Sequence, residues 1–419
     1  MFALVDCNNF FVSCERVFKP GLNNNPVVVL SNNDGCVISR SNEAKALGVP
    51  MGAPYFKYKD LFKKNCVEVF SSNYVLYGDM SQRVMSTLSS FTPKTEIYSI
   101  DEAFLNFEGF EKHYDLSLYG KFIRKTVFKN VGIPTSIGIA PTKTLAKLAA
   151  NIAKKFPQLE GCHLIDSSEK KEKALKWTHI KDVWGIGYGY SKKMDLWEIK
   201  TAYDFLQLSD SFVRKEMGVQ GLKTKKELEG VSCLSIERED KLRGAVATTR
   251  TFSTTITELE KLEQIISNFT INCAKKIRQE KALCNYITVY LKTDIHKKTH
   301  KSFNKKIAIK LPSASNSNID LIHYAKKGLV SIFEEGIKYK RAGVVLYGIT
   351  SDKDVQLNMF HQTERHKDLM VAIDKLNHKI GHHKVRIAAQ GTGKVWQMKQ
   401  ERLSRKYSTH WTDLLEVGS

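Results

Sequence analysis

The sequence predicts a multidomain α+β protein, and three observations lead to that class. The chain has 419 residues, enough for three or four cores of about 100–150 residues each. Short apolar runs bounded by turn residues alternate with amphipathic helical stretches in the first 165 residues and again after residue 244, the pattern of sheets covered by helices. Between these regions, residues 166–240 are rich in Lys and Glu and carry helical periodicity. One glycine-rich interruption breaks it, Trp184-Gly185-Ile186-Gly187-Tyr188-Gly189-Tyr190.

Phe2-Ala3-Leu4-Val5 opens the chain as a buried strand that ends at Asp6. Phe10 and Phe11 are expected on a strand that bends there, so that one of the two rings leaves the core. Pro26-Val27-Val28-Val29-Leu30 is a strand by composition, Ser31 to Gly35 a turn cluster, and Cys36-Val37-Ile38-Ser39 a second strand. Asn42 to Leu47 reads as a short helix stopped by Gly48 and Pro50. Thr95 to Phe107 reads as a strand edge with Asp101 and Glu102 side by side. Val131 to Ala140 is a strand region feeding a helix from Thr142 to Lys155, with Leu145, Leu148, Ala149 and Ile152 on one face. Later strands are expected at Ala245 to Thr249, Tyr286 to Leu291 and Ala342 to Tyr347. Between them lie a long amphipathic helix, Leu259 to Glu280, and a second near 318–335. The chain after 350 is polar and less periodic.

Composition narrows the function. No apolar stretch approaches the roughly 20 residues a membrane span needs, and no signal-peptide pattern opens the chain, so no membrane partner is expected. The eight cysteines form no CxxC pair and read as reduced, mostly buried thiols of a cytosolic protein. The net charge is +21, and residues 244–350 carry 18 basic against 8 acidic residues, nearly half of that excess. The densest run contains Lys297, Lys298, Lys301 and Lys305. A basic face this concentrated points to a polyanion, most simply nucleic-acid phosphate.

Three carboxylates carry the chemistry. Asp6, Asp101 and Glu102 sit at strand edges, and each element alone fits an exposed acid in a turn equally well. Brought together they repel. Magnesium relieves that repulsion, because it takes oxygen ligands and keeps open positions for substrate phosphates. A pair of such ions serves in-line attack at phosphorus. A bulky ring from Phe10 or Phe11 beside such a site would reject a 2′-hydroxyl, although paired aromatics more often simply pack. Ser39, Arg40 and Lys45 at a strand–helix junction, and Lys154 at a helix end, suit either phosphate contacts or solvated helix ends. The glycine run, followed by Lys192 and Lys193, suits either a plain helix–helix turn or backbone N–H groups aimed at a phosphate. Adjacent strand residues face opposite ways, so Asp101 and Glu102 serve one site only if the chain turns between Ser99 and Glu102. A metal-dependent nuclease and a non-catalytic DNA-binding protein remain as rivals. A nuclease needs no sugar-gating ring, and a binding protein does not need the acids.

The segments FALVDCNNFFVSCE, SNNDGCVISRSNEAKALGVPMG and EIYSIDEAFLNF, in this order, resemble the Y-family translesion DNA polymerases, and the resemblance extends over essentially the whole chain. It implies a right-hand polymerase fold. The palm would be 1–20 with 75–165, the fingers 21–74, a helical thumb with a helix-hairpin-helix 166–240, and a basic little finger 244–350. A tail with a clamp-binding motif and partner contacts would occupy 351–419. It implies error-prone, template-directed addition of deoxynucleotides in the SOS response to DNA damage. Two Mg2+ would sit on Asp6, the Cys7 backbone carbonyl, Asp101 and Glu102, and the substrate would be a deoxynucleoside triphosphate. Phe11 takes the steric-gate position, and Ser39, Lys45 and Lys154 match triphosphate contacts. Asn42 and Lys45 depart from the Tyr and Arg common in the family, and a point-charge Lys is not a forked Arg. Primer-template DNA would meet Gly185, Gly187, Lys192 and the basic run. Gln356, Leu357, Met359 and Phe360 resemble a peptide that docks in the sliding clamp, and the tail implies contact with a UmuD′ dimer and RecA.

Overall fold

The computed structural model describes residues 1–237, 242–294, 302–353, 366–381, 384–392 and 398–415. The chain divides into two compact units, Met1–Glu239 joined by Gln400–Ser419, and Asp240–Lys399. Among the described residues no helix is long and apolar enough to cross a membrane. All eight cysteines are free, and five are buried.

The first unit is built on strands and helices in this order: β1 (Phe2–Cys7), α1 (Phe10–Phe18), β2 (Val27–Leu30), β3 (Val37–Arg40), α2 (Asn42–Ala46), α3 (Tyr55–Lys64), β4 (Glu68–Ser71), α4 (Tyr74–Ser89), β5 (Thr95–Ile97), β6 (Glu102–Asn106), α5 (Leu116–Val131), β7 (Thr135–Ala140), α6 (Lys143–Lys155) and β8 (Cys162–Leu164). Five strands form one sheet in the order β5-β6-β1-β7-β8. β1 is central and antiparallel to both β6 and β7. Both faces of this sheet are covered, so β1 reads as a continuous apolar run rather than an alternating one. Ala3, Val5 and Cys7 pack with residues of α4 and α5, while Leu4 packs with α6 on the opposite face. α6 crosses β7 closely. A Cβ on Gly138 would lie 2.1 Å from the Ala146 carbonyl oxygen and 2.0 Å from the Ala150 nitrogen, so glycine alone fits there. Thr142 caps α6 by accepting from Leu145 N, as Ser/Thr caps do.

A second, three-stranded sheet has the order β3-β2-β4. All four residues of β2, Val27 to Leu30, are buried. A helical group follows: α7 (Ser168–Trp177), α8 (Tyr188–Leu196), α9 (Ala202–Leu206) and α10 (Asp210–Glu229). The glycine run forms the turn into α8, where Gly185 has φ +93 and Gly187 caps the helix.

Phe10 and Phe11 are not on a bending strand. Asn8 and Asn9 make a turn, Asn9 adopts left-handed φ 48, and both rings fall in the first turn of α1. Apolar spacing explains the difference. Phe10, Val12 and Cys14 are buried, as are Ser13 and Glu15, a pattern only a helix packed on a broad face delivers.

The second unit holds β9 (Ala245–Ile256), α11 (Leu259–Gln279), β10 (Ala282–Lys292), β11 (Asn304–Ser315), α12 (Asn318–Ile332), β12 (Tyr339–Ser351) and α13 (Lys367–Ile380). Its four strands form an antiparallel sheet, β11-β10-β12-β9. α11 and α12 cover one face. The strands run longer than their apolar runs predict because their other face is polar. β11 lies in a stretch that reads as a basic run, and α13 in one that reads as aperiodic. Yet Leu369, Ile373, Leu376 and Ile380 recur at helical spacing, and α13 is held by a bidentate ion pair, Arg278 to Asp374 at 2.7 and 3.0 Å.

The end of the chain does not stay with the second unit. Residues from Gln400 onward pack on the first. The Ser71 and Arg402 backbones are hydrogen-bonded, and the Tyr407 ring stacks on Phe18 at 4.9 Å.

Candidate active site

The turn that Asp101 and Glu102 require is present. β5 ends at Ile97 and β6 begins at Glu102. In between, Ser99 Oγ accepts from the Asp101 and Glu102 backbone nitrogens at 3.3 and 3.0 Å and donates to Asp101 Oδ1 at 2.6 Å. The Cys7 N–H donates to the Asp101 carbonyl at 2.9 Å. Asp6 is the cross-strand partner of Glu102, so their side chains share a face. β1, β6 and the Ser99 turn thus bring the three carboxylates to one end of the central sheet.

Each of two acids is met by a lysine from α6. Lys154 Nζ donates to Asp6 Oδ1 at 2.7 Å, and Lys147 Nζ to both oxygens of Glu102 at 2.7 and 2.8 Å. Lys147 also lies over the Tyr98 ring at 5.0 Å. Burial holds the Glu102 carboxyl above its ordinary range. The Lys147 ammonium opposes that shift, and the charges of Asp6 and Asp101 add to it. Burial, then Asp6 and Asp101, also push the Cys7 thiol up. Cys7 is 2 % exposed, its side chain packed in the core beneath β1.

Among the described residues no group of three or more His, Cys, Asp and Glu side chains is gathered closely enough to hold an ion. The donor set nevertheless suits a hard cation. Two of the three acids, Asp6 and Glu102, are each met by an ammonium group, the kind of positive charge a divalent ion would supply.

Phe11 is half-buried and stacks on Tyr77, ring centroids 4.6 Å apart at 14°, with Tyr74 edge-on at 6.2 Å. Lys45 Nζ donates to Asn9 Oδ1 at 2.6 Å and Asn42 Oδ1 at 3.3 Å. Burial, then the charges of Lys154, Arg40 and Lys155, hold its ammonium below the usual range. Three cations of α6 and the β3–α2 junction thus lie near enough to act on Lys45, with the Asp6 charge opposing them. Ser39 is only 6 % exposed. It accepts from Val12 N and contacts Asn9 O, both at 3.4 Å, and so ties α1 to β3.

The glycine turn lies beside the same hairpin. Trp184 Nε1 donates to the Tyr98 hydroxyl at 3.1 Å, and the Trp184 ring stacks on Phe104 at 5.8 Å. Lys192 lies over the Tyr188 ring at 4.6 Å. In the second unit, Lys305 pairs with Glu334 on the helix-covered side. Lys306 and Lys310 on the same strand, with Arg341 and Lys292, fall by alternation and register on the uncovered face. Tyr286 and Tyr347 stack there at 5.0 Å. Lys297, Lys298 and Lys301 lie outside the described residues, as do Gln356, Leu357, Met359 and Phe360.

Sequence reasoning missed Lys147 and Tyr77, and it foresaw a basic face after residue 244 without placing Lys306, Lys310, Lys292 and Arg341 on it. Lys147 carried a signal: it precedes Lys154 by seven residues, two helical turns, on the same face.

Residues 5–151 match the impB/mucB/samB family and residues 243–359 the C-terminal domain of that family, while residues 367–417 match a domain of unknown function, DUF4113. The protein UmuC of Salmonella typhimurium is 40% identical over 421 residues, covering 100% of both chains. The chain belongs to this family, the Y-family DNA polymerases. The protein ImpB of Salmonella typhimurium is 38% identical, covering 99% of each chain. A solved Y-family DNA polymerase chimera of Dbh and Dpo4 has a TM-score of 0.70 at 21% identity, covering 84% of this chain and 100% of that one, a likeness of fold. The DUF4113 match spans both units, with α13 in one and the Gln400 segment in the other.

Proposed function

We propose that this chain adds deoxynucleotides to a primer 3′ end opposite damaged template, as an error-prone polymerase of the SOS response to DNA damage. The observation that carries this reading is the pairing of Asp6 with Glu102 beside the Ser99–Asp101 turn, at the end of the strand that leads into α1 and Phe11. Asp6, Asp101 and Glu102 would hold two magnesium ions, with the Cys7 carbonyl as a further oxygen donor. Such ions lower the pKa of a 3′-hydroxyl and neutralise a leaving pyrophosphate. Lys154, Lys45 and Arg40 concentrate positive charge where a triphosphate would lie. Phe11, backed by Tyr77, stands where a deoxyribose would pack and a 2′-hydroxyl would clash.

In this reading the five-stranded sheet is the palm, residues 21–74 the fingers, α7 to α10 the thumb and the second unit the little finger. Primer-template DNA would meet Gly185, Gly187 and Lys192 in the first unit and the basic face of β10, β11 and β12 in the second. The resemblance to UmuC supports a UmuD′ dimer, RecA and a sliding clamp as partners, the clamp through the Gln356 peptide.

The test is primer extension across an abasic site in magnesium, with and without those partners. Asp101→Ala should reduce extension by at least about a thousandfold. Unchanged extension would remove Asp101 from the site. Degradation of DNA without added nucleotides would instead identify a nuclease.

A further inference from the structure

The groups behind Phe11 form a connected chain that ends in the C-terminal segment. Phe11 stacks on Tyr77. Tyr77 is fully buried, and its hydroxyl donates to Glu15 Oε1 at 2.7 Å. The same oxygen accepts from Ser404 Oγ at 2.9 Å. Glu15 is also fully buried, one helical turn after Phe11, and its Oε2 has no hydrogen-bond partner.

A second path reaches the same ring. Asn73 caps α4 by accepting from Leu76 N at 3.3 Å. Its amide donates to Ser404 O, Ser404 Oγ and Arg405 O at 3.2, 3.0 and 3.2 Å. α4 carries Tyr74 and Tyr77, both against Phe11. Tyr407 stacks on Phe18, two turns after Phe11 on the same face of α1.

A carboxyl group buried with one oxygen unbonded costs stability, and an apolar side chain of similar size would fill the space more cheaply. What the carboxyl provides is direction. It fixes the far end of the Tyr77 ring, and a phenol anchored at its hydroxyl cannot slide beneath the ring stacked on it. Discrimination of one hydroxyl depends on where that ring stands, since misplacement by about 1 Å alters rates by orders of magnitude.

We propose that the C-terminal segment at Ser404 is a positioning element for sugar selection: Ser404 and Tyr77 share Glu15, and Tyr77 sets the position of Phe11. The proposal rests on reading Phe11 as the sugar gate. It places a determinant of substrate choice 389 residues away from Glu15 in sequence, within the stretch that matches DUF4113.

The test uses the full-length chain with its partners and reads the ratio of kcat/KM for a ribonucleotide to that for the matching deoxynucleotide. This ratio is independent of the fraction of active protein. Ser404→Ala and Tyr77→Phe should each raise the ratio about tenfold, with deoxynucleotide kcat/KM changed less than about threefold. The double variant should go little further than the larger single effect, because both act through one carboxyl. Ser404→Thr, which keeps a hydroxyl, should restore the wild-type ratio. Phe11→Ala in the same assay separates the two ideas. If it leaves the ratio unchanged, the gate reading fails and the positioning proposal falls with it. If Phe11→Ala raises the ratio while Tyr77→Phe and Ser404→Ala leave it at the wild-type value, the gate stands and the proposal is overturned. Tyr77→Phe removes a single oxygen, so it decides the matter even where Ser404→Ala fails to fold.

Discussion

At Glu15 the fold keeps a carboxyl group out of water with one oxygen bonded and the other bare. Burial holds its pKa above the ordinary carboxylate range, while the hydrogen bonds from Tyr77 and Ser404 pull the other way. The sign of the consequence follows from linkage. A carboxyl with a raised folded-state pKa binds its proton more tightly in the native state than in the unfolded chain. Its ionisation therefore costs native stability as pH rises from the unfolded pKa, about 4.3, through the folded one. Glu15→Gln keeps the acceptor oxygen and removes the ionisation. Its thermal stability relative to wild type should rise with pH over that window and level off above it. A flat difference across pH, measured by calorimetry, would mean that folding leaves the proton affinity of this carboxyl unchanged. The acids of the candidate site were legible because each borders an apolar strand run, Asp6 near the end of β1 and Asp101 and Glu102 at the start of β6. Glu15 was not, since its partners Tyr77 and Ser404 are 62 and 389 residues away and no local pattern records such a pairing.

Among the elements, those with a strong period were read closely. The helix after Thr142 and the strand at Val27 stand where apolar spacing put them. The demand for a turn before Glu102 came from strand alternation alone, and the Ser99 hydroxyl supplies it. The errors share one cause. Phe10 and Phe11, β11 and α13 lie where local composition is ambiguous and tertiary packing decides. The C-terminal segment is the extreme case, being polar in sequence yet carrying buried Ser404 and Tyr407. Truncation after Lys399 removes the Tyr407–Phe18 stack and the bonds to Asn73, and uncovers Glu15. It should destabilise the first unit by about 3 kcal/mol, from roughly 2 for the buried ring and about 1 net for hydrogen bonds. Urea unfolding followed through first-unit tryptophans such as Trp184 would measure it, and an unchanged midpoint would show that the segment contributes nothing.

Across the whole molecule, charge and connectivity matter most. The uncovered face of the second unit gathers Lys306, Lys310 and Arg341 around stacked tyrosines, a surface suited to phosphates rather than to base-specific contacts. Lys306→Ala with Lys310→Ala should weaken DNA binding evenly across sequences and reduce the slope of log K against log salt by about 1–2. An unaltered slope in a salt titration would direct attention to another face. The Gln400 segment also makes the second unit an insertion within the first, because Asn73 waits for Ser404 across 331 residues. At roughly 5–20 residues per second of synthesis, its socket on α1 and α4 stays open for on the order of half a minute while everything between is made. A nascent chain that stops before Ser404 thus leaves the Glu15 carboxyl uncovered, and the first unit is sealed only after the second has been made.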